Sequence, residues 1–542
     1  MVRRRAVRRR VDEKGHCEYA MVKPHARLGE LLIRAKLVTE KDVTAALDRT
    51  KEQGGRLGEN LVAIGAIRQD VLDGFIHRIP DEPRDIAATG VDDTDLLALL
   101  MKLIYACRLE KVGQCADAIK LPQSIVMDLV SMAIERQLLY TLGSHSSDSI
   151  LDTRYALTDE GRRWTVDAMQ RSGYVGPAPV SLAEFIERVN RQKPTNEHVT
   201  PEKIRTALGD LSVSESIVEQ SGPALSSGRS MLFYGAPGNG KTSIALRLAS
   251  VFSDMIYVPY AVIVEGQIIR FFDPRIHLPF DPQDSSARND EGLCFRLETH
   301  DQRWVACKRP FVVAGGELTL DMLDMRYDST GHYYEAPLHM KALGGCFFID
   351  DFGRQQTKPT DLLNRWIVPM ESRVDYLKLH TGTSFAIPFE EVVIFATNLE
   401  PEDLIDAAFL RRIPYKIEVG PPSLDQYRLI FEAECERRNM ALSNKVFDFI
   451  VYMVREEKGL DLAAFHATFI TDQVAATCRF LGKTPELRSP YINYAIENLR
   501  VNRSSAPERE SHRQPGPQEN RLAIGSREQY AAKPDRGAYS AS

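Results

Sequence analysis

None of the eight cysteines, at positions 17, 107, 115, 294, 307, 346, 435 and 478, stands in a C-x-x-C pair, and no paired histidine cluster accompanies them. That argues against a zinc ribbon or a disulfide frame and favours reduced thiols, as in a cytoplasm. No apolar run approaches the roughly 20 residues that a bilayer-spanning helix needs. The arginine-rich start is not followed by an apolar segment, so no signal peptide is expected. Basic residues are not in excess: the net charge is −6. Any nucleic-acid contact must therefore be a local patch. What is present is ordinary for a soluble globular protein, 43% hydrophobic and 27% charged residues. A chain of 542 residues is too long for one core and suggests about three to four domains.

Residues 230–242, SMLFYGAPGNGKT, carry the clearest chemistry. An apolar run from Met231 to Tyr234 leads into Gly235, Ala236, Pro237, Gly238, Asn239, Gly240, Lys241 and Thr242. Ser243 then opens a helix-like stretch, SIALRLASVF. This is G-x-x-x-x-G-K-[ST] between a strand and a helix, where backbone N–H groups turn inward around nucleotide phosphates. The glycines permit that turn, and the helix adds the positive end of its dipole. Lys241 is expected to reach the β- and γ-phosphates, and the Thr242 hydroxyl to hold Mg²⁺.

Residues 1–20 hold six arginines in the first ten positions and read as a basic, disordered arm; a mis-assigned start, with Met21 first, is the alternative. Residues 27–50 and 56–79 form an internal repeat with a shift of 29. Arg27/Arg56, Leu28/Leu57, Gly29/Gly58, Glu30/Glu59 and Leu32/Leu61 are identical pairs. Apolar positions recur at helical spacing, so each unit reads as two short helices that need a partner. The repeat resembles the N-terminal domain of type II secretion and pilus ATPases of the MshE kind, including the five-residue spacer 51–55. That resemblance implies cyclic-di-GMP binding at Arg27, Leu28, Gly29, Arg56, Leu57 and Gly58, and arginine suits guanine and phosphate. Lys36, Thr50 and Ile79 depart from the motif, which leaves a helical docking module without ligand as the other reading.

Residues 80–92 read as a Pro/Gly/Asp-rich linker. Stretches 95–108, 112–122 and 124–139 read as helices, and 138–143 and 154–164 as two strands of a wing, so that 93–172 resembles a winged-helix domain. The candidate recognition helix offers Gln123, Ser124, Asp128 and only one cation, Arg136, with Arg162-Arg163 beside the wing. DNA binding needs more basic charge than this, so protein contact or ring scaffolding is favoured. Residues 173–200 are expected to be a linker with one amphipathic helix, 181–191.

From Gly235 the order of motifs resembles an AAA+ ATPase over about residues 200–500. The strand GCFFIDD ends in Asp350, which the resemblance implies for the Mg²⁺ shell, and Asp351, implied to polarise the attacking water. Most members have Glu at the second position. VVIFATN ends in Asn398, matching sensor 1, and Arg411-Arg412 match the arginine-finger pair that reaches a neighbour's γ-phosphate. Residues 361–389, DLLNRWIVPMESRVDYLKLHTGTSFAIPF, read as a helix and then a hairpin around Thr381-Gly382-Thr383, resembling the pre-sensor-1 hairpin that often contacts a client. The sensor 2 arginine is missing: Ala464–Phe469 offers His466, expected to be a packed histidine.

The expected architecture is α/β: an AAA+ P-loop core (201–420) with an insertion at about 255–345, a helical lid (421–502) and a disordered tail (503–542), preceded by 21–80 and 93–172. The implied function is Mg-ATP hydrolysis by a homo-oligomeric ring, a hexamer in the family, acting on a client protein. The alternatives are a nucleotide-binding or DNA-binding regulator with little turnover, or an accessory ATPase of a secretion system.

Overall fold

The computed structural model describes residues 37–54, 57–69, 71–72, 79–143, 153–209, 211–279, 300–404 and 410–499, with Gly29, Leu32 and Ile33. The expectations for the basic arm, for Arg27, Leu28 and Arg56, and for the tail lie outside these residues.

The chain is built on a five-stranded parallel α/β sheet. Numbered in chain order, its strands are β1 (Met231–Tyr234), β2 (Phe311–Ala314), β3 (Cys346–Ile349), β4 (Val392–Ala396) and β5 (Tyr415–Glu418). They lie side by side as β5–β1–β4–β3–β2, every neighbour parallel. Met231 stands opposite both Ile394 and Tyr415, and Phe348 opposite Ile394 and Val313. These strands are near-continuous apolar runs because both faces are covered. Side chains alternate between two cores: Met231, Phe233, Phe348 and Ile394 face the helices Pro201–Leu208, Glu215–Ser227 and Lys241–Ala249, while Leu232, Phe347, Ile349 and Phe395 face Trp366 and Leu363. Each such fully buried side chain stabilises the fold by roughly 1.5–3 kcal/mol. In this register β1, β3 and β4 end side by side, so residues 235–242, 350–351 and 397–398 share one edge.

The insertion expected as one block over 255–345 is interrupted, because β2 returns to the central sheet before β3. Pro310 O accepts the Cys346 N–H at 2.9 Å. A Cβ on Gly345 would lie 2.1 Å from that same oxygen, so only glycine lets the two strands start together. The inserted residues form a second sheet, in the order Arg326–Asp328, Tyr333–Glu335, Gln267–Arg270, Ala261–Val264 and Val180–Ser181, and an antiparallel pair, Met255–Pro259 with Trp304–Lys308. The stretch expected as a linker, 173–200, thus supplies an edge strand. Its helix Leu182–Arg191 buries Phe185 and Val189 against the second sheet.

Arg303 ties these pieces together. It is 1% exposed, pairs with Asp301 and Glu184, and donates to Thr89 O at 2.8 Å and Pro179 O at 3.2 Å. Asp301 is fully buried, so removing the guanidinium would strand a charge in the interior, a loss of roughly 3–5 kcal/mol.

In the front repeat the hydrogen bonds repeat as well as the residues. Leu37 N–H donates to Leu32 O as Ala66 N–H does to Leu61 O, and Val43 to Thr39 as Leu72 to Arg68, each pair shifted by 29. After it come helices Asp93–Cys107, Val112–Ile119 and Gln123–Glu135 and an antiparallel hairpin, Leu139–Gly143 with Arg154–Leu157. The second strand is shorter than expected. Thr158 Oγ1 accepts the Gly161 N–H at 2.8 Å and caps a helix, Asp159–Arg171, which carries Arg162 and Arg163. Past the central sheet, helices Leu424–Arg437, Asn444–Tyr452, Phe465–Phe480 and Ser489–Glu497 share one apolar core. Among the described residues no helix is long and apolar enough to cross a membrane.

Candidate functional site

The loop leaving β1 turns on glycines with positive φ: Gly235 at 130°, Gly238 at 84° and Gly240 at 84°. A Cβ on Gly235 would meet Val419 O at 2.6 Å, so the loop is seated against the end of β5. Gly240 caps the helix that begins at Lys241. Asn239 is nearly buried and its Nδ2 donates to Val419 O at 3.4 Å, while Ala236, Pro237, Gly238, Thr242 and Ser243 are exposed.

Lys241 is 7% exposed. Its Nζ donates to Gly235 O at 2.8 Å, Ala236 O at 3.0 Å and Asn398 Oδ1 at 2.7 Å. Burial pushes its pKa below the ordinary lysine value, with Asp351 and Asp350 opposing that shift. Thr242 Oγ1 donates to Asp350 Oδ2 at 2.8 Å, and Asp350 Oδ1 accepts the Asp351 N–H at 3.0 Å. Asn398 Nδ2 donates to Asp351 Oδ1 at 2.8 Å. Five residues from the ends of β1, β3 and β4 therefore form one chain of hydrogen bonds, Thr242–Asp350–Asp351–Asn398–Lys241.

These groups fit Mg²⁺ with a triphosphate. Thr242 Oγ1 and Asp350 Oδ2 are hard oxygen donors, and Mg²⁺ takes one or two protein ligands while keeping waters and phosphate oxygens. Among the described residues no group of three or more His, Cys, Asp or Glu could hold a metal alone. The amides, dipole and ammonium of the 235–242 loop match an anion chain.

Two contributors were not singled out in the sequence. Gln355 Nε2 donates to Asp350 O at 3.0 Å and Asp351 O at 3.2 Å, and Gln355 Oε1 accepts the Gly353 N–H at 2.8 Å. That clamp holds Asp351 at φ 49°, a left-handed conformation that aspartate tolerates at a small cost. Phe465 is the other. It opens the third helix of the C-terminal segment, where the resemblance implies an arginine, and its N–H donates to Gly238 O at 2.9 Å. An aromatic residue at that helix start was the available signal. His466 is buried, as expected of a packed histidine, and burial pushes it down to about 4.

Arg411 and Arg412 stand elsewhere, just before β5, at the opposite edge of the sheet. Arg412 Nε donates to Glu371 Oε1 at 2.6 Å, and Arg411 is exposed. In the front repeat, Gly29 and Gly58 are packing positions. A Cβ would lie 2.8 Å from Val43 Cγ1 on Gly29 and 3.0 Å from Leu72 Cδ2 on Gly58, while Leu57 is half-buried.

The site is thus a phosphate-loop site at the carboxyl edge of a parallel α/β sheet. A family model described as a domain of unknown function (DUF8689) matches residues 423–498, the helical segment after that sheet. No curated protein matches the chain. Among solved structures it is similar to a variant of RuvB from Thermotoga maritima, at 13% identity over 57% of this chain and 73% of that one, with a TM-score of 0.29. NtrX from Brucella abortus in complex with ADP matches at 11% identity over 64% of this chain and 69% of that one, with a TM-score of 0.34. With likeness this slight, the chemistry assigned below rests on the site's own geometry.

Proposed function

We propose that the chain is an AAA+ ATPase that binds Mg-ATP at residues 235–243 and hydrolyses it at contacts between subunits of a ring, a hexamer by resemblance, to remodel or regulate a client protein. The observation that carries this reading is the single hydrogen-bonded chain joining Thr242, Asp350, Asp351, Asn398 and Lys241 across three strand ends. Backbone amides and Lys241 would hold the phosphates, Thr242 and Asp350 would hold the ion, and Mg²⁺ supplies charge neutralisation there when bound. Asp351, its carboxylate oriented by Asn398, is the group that would accept a proton from water.

Arg411 and Arg412 support action between subunits. Tyr415 pairs with Met231, four residues before Gly235, so the two sheet edges are roughly 13 Å apart at about 3.3 Å per residue. The arginines lie on the far side of Tyr415 and would serve a neighbour's nucleotide instead. The packing role of Gly29 and Gly58 favours a docking module over a cyclic-di-GMP receptor at the front of the chain, and the helix–hairpin unit at 93–171 is consistent with a winged-helix-like protein contact. The test is phosphate release by the full chain. Lys241→Ala should lose nucleotide binding, whereas Arg412→Ala should keep binding and lose turnover by on the order of 10³. Unchanged nucleotide affinity in Lys241→Ala would overturn the reading.

A further inference from the structure

Arg412 and Glu371 line an open cavity of about 510 Å³ at the sheet edge away from the phosphate loop. Glu371 comes from the last turn of the helix Pro359–Ser372, whose inner face packs on the β3 side of the sheet. Arg411 and Arg229 face the same cavity, so among the described residues that line it three guanidinium groups stand against one carboxylate. Arg229 and Arg411 are exposed, and neither forms an ion pair with a described residue. Like charges gathered on a concave surface repel one another unless an anion enters, and guanidinium groups are well matched to phosphate oxygens. The chain's own phosphate loop lies at the other end of β1 and β5, so it cannot deliver that anion.

Beyond the role proposed above for Arg411 and Arg412 toward a neighbour's nucleotide, we infer that Arg229 is a further cation for the phosphate chain that this cavity receives, and that Glu371 is a positioning residue that sets the plane of the Arg412 guanidinium through Nε. Fixing that plane before the anion arrives lowers the rotamer entropy lost on contact. The inference rests on the ring reading proposed above.

Arg229 and Glu371 are on the surface, so their variants should fold. Arg229→Ala should lower kcat about tenfold or more while ATP affinity stays as in the wild type. Mixing Arg229→Ala with Lys241→Ala subunits should raise turnover above the sum of the two alone, since mixed contacts join an intact phosphate loop to an intact Arg229. A cavity that takes its anion from solution would give no such gain, and that result overturns the inference. Glu371→Ala should lower kcat with KM unchanged, and Glu371→Gln should regain most of it, because the amide oxygen still accepts from Nε. Equal losses in both variants, or a shift confined to KM or to thermal stability, would mark Glu371 as structural. Arg229→Ala at the wild-type rate with Arg412→Ala inactive would sink this inference alone; both at the wild-type rate would sink the ring reading.

Discussion

The ring of Phe465 lies against the phosphate loop at Gly238, so close that a Cβ there would stand 2.2 Å from Phe465 Cδ1. With the Phe465 N–H bonded to Gly238 O, the third helix of the C-terminal segment rests its first residue on the top of the loop. A loop that rearranges around phosphates moves the very peptide on which this helix sits. Under the proposed function, coupling between nucleotide state and the helical segment would have a route that needs no arginine at the helix start. Phe465 is 42% exposed, which leaves its ring room to shift.

Gly238→Ala is accordingly expected to act twice. The left-handed φ of 84° costs an alanine roughly 1–2 kcal/mol, and the added methyl collides with Phe465. ATP affinity, read by titration with a fluorescent nucleotide, should fall at least about tenfold, or ~1.4 kcal/mol. Adding Phe465→Ala should restore part of that loss by removing the collision and leave the part due to φ. If the double variant binds no better than Gly238→Ala alone, the contact is not what limits the loop.

Acid sensitivity should come in part from His277. It is fully buried; its Nδ1 accepts the Asp273 N–H at 2.9 Å, so Nε2 carries the proton toward Lys341 O at 2.9 Å. Burial pushes this imidazole down to about 4, aided by the Lys341 ammonium and opposed by the Asp273 carboxylate. The unfolded chain takes up the proton near pH 6.5. Because the folded value is the lower one, the stabilisation is complete above about pH 6.5 and is lost as pH falls from there toward 4. By pH 5 the loss should be about 2 kcal/mol. Comparing unfolding midpoints at pH 7.5 and 5.0 checks it: the advantage of wild type over His277→Gln should shrink at the lower pH. An advantage that stays constant would show that His277 does not titrate in this window.

The site was more legible in the sequence than the modules around it. The loop at 235–242 and the strand ends at Asp350 and Asn398 are local signals, and a parallel sheet forces buried apolar runs that stop at polar edge residues. Strand β2 is only four residues long, and FVVA sits among other apolar fragments of the same length. Which of these joins the central sheet is decided by long-range pairing and by the Gly345–Pro310 approach, neither of which a linear pattern displays. The same holds for Val180–Ser181, whose partner strand lies some 80 residues later. Thr158 was different, since Thr-Asp-Glu-Gly is a helix-start signal that an extended wing reading passed over. Arg303 could not have been singled out at all, because its importance lies in three separate segments converging on one guanidinium.

Asp351 separates an ATPase from a nucleotide-binding regulator. Its φ of 49° is as acceptable to asparagine as to aspartate, and an amide Oδ1 can still accept from Asn398 Nδ2. Asp351→Asn should therefore keep the loop, the Gln355 clamp and ATP affinity within about threefold, while removing the carboxylate that Asn398 orients. It also removes a charge that supports the Lys241 ammonium, so Lys241 should titrate lower in the variant. If Asp351 is the proton acceptor, phosphate release should fall by on the order of 10² or more with little change in KM. Equal rates in wild type and Asp351→Asn would assign water activation elsewhere. If the wild type itself binds ATP and releases no phosphate, the shorter carboxylate at this position fails to reach the water. Asp351→Glu then becomes the decisive variant, since one added methylene should start turnover in a site that is otherwise assembled.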